Sequence, residues 1–194
     1  MAQTHVLLYG ATGRMGRAIR ASLHEFSDVT LRACVAPAPD VDPCPPGCVW
    51  MTPEEMFRGS GLPSDLVVID VSVAAGTASL LDRLGRSPYA LVSATTGLTD
   101  ADEARVKALG SRVPVLRARN LSPGNSLACA MLRSLPRSAT EMFDLDLIEH
   151  HHAGKRDAPS GTALAWASIL APGTTPRAGA GPGEPRGKGE IRVH

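Results

Sequence analysis

Short apolar runs alternate with helix-period stretches from residue 5 to about residue 120. His5–Tyr9, Val29–Val35, Asp65–Ser72, Tyr89–Ser93 and Val113–Ala118 read as strands, and Asp65–Ser72 is a continuous apolar run of the kind buried in a parallel sheet. Between them the pattern predicts helices up to Leu23, a short one over Thr52–Phe57, one over Ala78–Gly85 and one from Thr99 to Gly110. Thr52 followed by Pro53, and Thr99 followed by Asp100, Asp102 and Glu103, are helix-start chemistry. Alternation of this kind predicts an α/β fold, a Rossmann-like doubly wound parallel sheet. Beyond it come a helix over Leu127–Leu135, an alternating strand over Phe143–Ile148, and the apolar helix Ala163–Leu170 with Ser160 as its cap. Gly173–Gly189 is poor in large apolar residues and reads as a loop or disordered arm, ending in the strand-like Glu190–His194. Pro37–Gly47 is a rigid, irregular excursion.

The 194 residues suffice for one large domain or two small ones, and 20 basic against 19 acidic residues leave a net charge of +1. Nothing in that balance points to nucleic acid or an anionic membrane. No apolar run approaches the ~18 residues of a membrane span, and the N-terminus lacks the build of an export signal. With four scattered cysteines, a reducing cytoplasm is the expected compartment. Cys44 and Cys48 have chelating spacing but no second pair, so they read as ordinary loop cysteines and no metal site is expected.

Two stretches carry chemistry. Gly10, Gly13 and Gly16 follow the first strand and open a helix, the arrangement in which glycines let a backbone approach a pyrophosphate and a helix close on a strand. The second is Glu149–Ala163, with His150, His151, His152, Lys155 and the helix start Pro159-Ser160-Gly161-Thr162. His151 can donate a proton near neutral pH, Lys155 can steady negative charge, and the first-turn amides with the Thr162 hydroxyl can seat a carboxylate. Together they describe an acidic small molecule being protonated. Read without further context, the same histidines could equally be surface decoration or an adventitious metal tract.

The run His151-His152-x-x-Lys155-x-Asp157-Ala158-Pro159-Ser160-Gly161-Thr162-Ala163 resembles the signature of the dihydrodipicolinate reductase family. Gly13-Arg14-Met15-Gly16 is also similar to that family's first turn, Asp70-Val71-Ser72 to its Asp-Phe-Ser, Ala94-Thr95-Thr96-Gly97 to its Gly-Thr-Thr-Gly, and Asn120-x-Ser122-x-Gly124 to its interdomain joint.

The resemblance implies a dinucleotide-binding domain over 1–120 and a smaller α+β substrate domain over 121–194. It implies NADPH or NADH as cofactor, and reduction of 4-hydroxy-tetrahydrodipicolinate in lysine and diaminopimelate synthesis. His151 and Lys155 would be catalytic. His152, Lys155, Ser160, Gly161 and Thr162 would hold the dicarboxylate. Gly10, Gly13, Arg14, Met15, Gly16, Ser72, Ala94, Thr95, Thr96, Gly97 and Asn120 would hold the cofactor, and Ser122–Asn125 would serve as a hinge.

Ala36-Pro37-Ala38-Pro39 follows the second strand with neither an acid for a ribose nor a base for a 2′-phosphate, so the choice of nucleotide stays open. The family continues past the Ile191–His194 strand into further strands and a closing helix. The second domain is therefore expected to be incomplete, self-associating or completed by another chain, with low activity. Alternatives to the reductase are a dinucleotide-binding relative without turnover, and a reductase of another cyclic imine.

Overall fold

The computed structural model describes residues 3–38, 44–57, 62–85, 87–151, 153, 158–179, 184–187 and 190–194. It separates into two compact units, Met1–Asn120 and Leu121–His194.

The first unit is built on six strands: β1 (Thr4–Tyr9), β2 (Val29–Val35), β3 (Val49–Met51), β4 (Val67–Asp70), β5 (Ala90–Ser93) and β6 (Val115–Arg117). They pair in parallel in the order β3-β2-β1-β4-β5-β6, the doubly wound arrangement that alternation predicts. Successive residues of β1 point to opposite faces. Leu7 and Tyr9 pack with Ala33, Val35, Leu80, Leu84, Val106 and Leu109, whereas Val6 and Leu8 pack with Leu31, Cys34, Ile19 and Trp50. Helices α1 (Arg14–Ser22) on one face, α2 (Ala74–Leu84) and α3 (Asp100–Leu109) on the other, complete the layers. A register shift opposite Val6 and Leu7 passes over Arg32, so Leu31 and Cys34 share a face despite being three positions apart.

The registers bring Met51, Val35, Tyr9, Asp70, Ser93 and Arg117 into one row across the carboxyl end of the sheet. In open sheets of this kind the crevice beyond that end is where ligands sit. Asp70 holds the row together. Fully buried, it accepts from the Ser72 amide at 3.1 Å, the Ser72 hydroxyl at 2.6 Å, the Thr77 hydroxyl at 2.6 Å and the Ser93 hydroxyl at 3.4 Å. A buried carboxyl group survives only with such partners.

The second unit carries α4 (Pro123–Ser134), α5 (Arg137–Met142), β7 (Leu145–Leu147), α6 (Gly161–Leu170), β8 (Arg177–Ala178) and β9 (Ile191–Val193). The strands pair in parallel in the order β7-β9-β8. Ala167, Leu170 and Ile191 form its core with Leu132, Leu145 and Leu147.

Several sequence expectations need correction. The Thr52–Phe57 helix is only a 3-10 turn over Glu55–Phe57, stabilised by the Glu55 carboxylate accepting from the Thr52 amide at 2.7 Å. Helix α2 begins four residues earlier than apolar periodicity indicates, and α4 likewise begins at Pro123. Ser122 caps α4 by accepting from the Asn125 amide at 3.3 Å, so 123–125 form a helical turn where a loop was expected. Part of the Gly173–Gly189 arm is ordered: Arg177–Ala178 pairs with β9, and Arg192 donates to the carbonyls of Glu184 and Pro185 at 2.9 and 3.1 Å.

Asp70→Ala should strand the buried hydroxyls of Thr77 and Ser93, at about 1–3 kcal/mol for each donor left unpaired. Urea unfolding should therefore show a lower midpoint with an unchanged slope; an unchanged midpoint would show that the row is held by something else.

Candidate functional site

Gly10 ends β1 with φ +87°, in the left-handed region that disfavours side chains, and a Cβ there would lie 2.7 Å from the Ser72 Cα. The turns after β1 and β4 thus touch backbone to backbone. Gly16 is buried in α1, where a Cβ would fall 2.8 Å from the Ala11 backbone and press on the Gly10 carbonyl. Gly13 differs. It is the N-cap of α1 at φ −70°, and a Cβ would meet only the Gly10 carbonyl oxygen, at 3.4 Å. Gly10 and Gly16 are thus required by packing, while Gly13 leaves open space above the helix start. Arg14 and Met15 follow in the first turn, both exposed.

Ser72 lies just beyond β4, its hydroxyl turned onto Asp70. Gly76 admits it: a Cβ there would lie 2.7 Å from the Ser72 Oγ. Ala94–Gly97 leaves β5 along the same edge, with the Ala94 amide donating to the Asp70 carbonyl at 2.9 Å and Gly97 at φ +73°. Thr95 is 3% exposed, and its hydroxyl has no hydrogen-bond partner among the described residues. Gly10, Ser72 and Ala94 therefore lie together at the carboxyl end of the sheet beside Asp70, and the α1 start at Gly13, where a Cβ would meet only the Gly10 carbonyl oxygen, fits a nucleotide's phosphates. Asn120 closes the unit at an exposed position. Asp70 stands in the Asp70-Val71-Ser72 motif, but neither it nor Gly76 was assigned a role from the sequence. The signal for Asp70 was a lone acidic residue ending an apolar strand.

In the second unit, Ser160 caps α6 by accepting from the Ala163 amide at 3.1 Å. The first intrahelical bond runs from the Leu164 amide to the Ser160 carbonyl, so the Gly161 and Thr162 amides precede the ladder. A Cβ at Gly161 would meet nothing within 4 Å. Glu149 joins this helix start to the histidine stretch. Its carboxylate takes the Ser160 amide at 2.8 Å with one oxygen and faces His151 Nε2 at 2.8 Å with the other. Hydrogen bonds from Ser160, and then His151, hold the Glu149 carboxyl down at about 2. Glu149 is the functional candidate that sequence reasoning missed; it begins the quoted stretch but lies outside the matched signature. His152 and Lys155 lie outside the described residues.

Family models for "Dihydrodipicolinate reductase, N-terminus" and "Dihydrodipicolinate reductase, C-terminus" match residues 4–121 and 124–194. The chain is 36% identical to the 4-hydroxy-tetrahydrodipicolinate reductase of Thermomicrobium roseum, over 96% of this chain and 75% of that protein. It is 34% identical to the enzyme of the same name from Nitratiruptor sp., over 86% of this chain and 63% of that one. A solved structure of dipicolinate-bound dihydrodipicolinate reductase from Paenisporosarcina sp. TG-14 shares the fold at TM-score 0.70 and 21% identity, over 98% of this chain and 78% of that chain.

Glu149 has a lowered folded-state pKa, so its contribution to stability is present above the ordinary value of 4.5 and is lost as pH falls toward about 2. Glu149→Gln should lower stability at pH 7, and the gap to the parent should close between pH 4.5 and 2. Chemical denaturation across that range checks this; a gap independent of pH would contradict it.

Proposed function

The chain belongs to the dihydrodipicolinate reductase family, and from that premise we propose that it reduces a cyclic dicarboxylate imine, 4-hydroxy-tetrahydrodipicolinate, to tetrahydrodipicolinate with NADPH or NADH, in lysine and diaminopimelate biosynthesis. The observation that carries this reading is the carboxyl end of the six-stranded sheet, where the Gly10 turn meets the Ser72 backbone and Gly13 opens α1 with room above it. Gly10, Gly13, Arg14, Met15 and Gly16 would cradle the pyrophosphate at the start of α1. Ser72, Ala94, Thr95, Thr96, Gly97 and Asn120 would line the nicotinamide side. When bound, the nucleotide supplies the hydride.

The chain's own residues then bind, orient and protonate. The amides of Gly161 and Thr162 would hold one substrate carboxylate, while the Ser160 cap keeps that first turn in place. His152 and Lys155 would offset the remaining negative charge. His151 would donate the proton that, with the nucleotide's hydride, replaces the substrate's 4-hydroxyl, which leaves as water while the ring keeps its carbon–nitrogen double bond. With Nε2 turned to Glu149, the ring would exchange that proton through Nδ1. Glu149 is a positioning residue here: a carboxylate charged throughout the neutral range fixes the orientation of the ring.

Steady-state oxidation of NADPH and NADH with freshly prepared 4-hydroxy-tetrahydrodipicolinate tests the reading. Substrate-dependent oxidation is expected, and His151→Gln should lower kcat by roughly 10²–10⁴-fold without changing nucleotide affinity. No turnover with either nucleotide, or a near-parental rate in the variant, would contradict it. Gly13→Val should still fold, since its Cβ has room, yet abolish nucleotide binding measured by calorimetry. Undiminished affinity in that folded variant would remove the pyrophosphate from this turn.

A further inference from the structure

Cys34, Cys44 and Cys48 come together on the α1 face of the sheet, their sulfurs all within 4.8 Å of one another. Cys34 sits near the end of β2, fully buried, and the other two lie half-buried in the crossover to β3. The register shift in β2 is what turns Cys34 to this face. Cys48 Sγ is 3.8 Å from Cys34 Sγ and 2.9 Å from Cys44 Sγ. Trp50 packs on the same cluster and carries the Arg20 guanidinium over its ring, 5.1 Å from the centroid.

We propose that Cys34, Cys44 and Cys48 form a thiolate site for a divalent zinc-type cation, which would staple the β2–β3 crossover to the sheet. Sulfurs about 2.3 Å from a tetrahedral centre stand about 3.8 Å apart, the spacing between Cys34 and Cys48. Cys44 needs to withdraw by about 1 Å to complete the same triangle, a small displacement for a residue in a connecting loop. The fourth position is left to water. Each ligating sulfur releases its proton to solvent on binding, and no electron is transferred. Cys34 is prepared for this. The hydrogen bond from Cys48, aided by Cys44 and the Arg20 charge, lowers its thiol to about 7 against the opposing effect of burial. The same contact, together with burial, pushes Cys48 up.

A Cys44–Cys48 disulfide is the competing use of the close pair. It would require closing from 2.9 Å to about 2.05 Å and the loss of two electrons to an oxidant, and it would leave the convergence of Cys34 without a purpose. The zinc reading accounts for all three sulfurs.

Cobalt(II) is the probe, added without oxygen to the reduced 194-residue protein. One equivalent should produce thiolate-to-cobalt absorption in the near ultraviolet with strong tetrahedral bands in the red, and zinc(II) should abolish both. Cys44→Ser and Cys48→Ser, at half-buried loop positions, should each remove the signal while circular dichroism stays parental, and Cys34→Ser should do the same. Cys129→Ser, in the other unit, should retain it. Zinc should also raise the melting temperature of the parent and not of the Cys44 and Cys48 variants. Cobalt binding without the thiolate band, a band that survives in the three variants, or reduced protein that takes up no metal would each overturn the proposal.

Discussion

The hydrogen-bonded cage around Asp70 is the constraint on which the turns at the carboxyl end of the first unit's sheet depend. A buried carboxyl group is tolerable only where donors converge on both its oxygens, and Ser72, Thr77 and Ser93 come from the loop after β4, from α2 and from β5 to do so. That convergence fixes the turn after β4 close enough to β1 that only glycine fits at position 10. It also keeps the Ser72 hydroxyl on Asp70, which in turn requires glycine at position 76. The turns that would line a nucleotide site are therefore set by polar satisfaction beneath them as much as by the glycines on view.

The second unit uses the same economy on a smaller scale. One carboxylate, Glu149, ties the start of α6 to the His151 ring. Its lowered pKa keeps it charged across the neutral range, so the ring is held beside a negative neighbour wherever proton transfer is required. A histidine on an exposed stretch would otherwise sample many rotamers, and the fixed partner reduces that freedom before any substrate binds.

What the sequence made legible was local chemistry. The Gly10–Gly16 turn and the Ser160 cap could be read because positive φ, close packing and helix capping are dictated by neighbouring residues. The parallel, doubly wound sheet followed from the alternation of strands and helices, while its strand order was not read from the sequence. Strand β3 escaped notice because Val49–Met51 is too short for a pattern, and α5 because Arg137–Met142 has little apolar periodicity. The missed starts of α2 and α4 have one cause: small and polar first turns carry no apolar stripe. Asp70 and Cys34 draw their meaning from partners brought in by sheet register, and Glu149 from the Ser160 amide eleven positions away. Residue type and spacing alone did not reveal those partners.

The central claim is that a pyridine dinucleotide occupies the crevice over the Asp70 row. Backbone amide resonances of the isotope-labelled chain, followed during titration with NADPH and separately with NADH, test it most directly. The account predicts saturable shifts centred on Gly10–Gly16, Ser72 and Ala94–Gly97 with at least one of the two nucleotides. Saturable binding whose shifts leave those segments untouched, or no binding of either nucleotide, would contradict it.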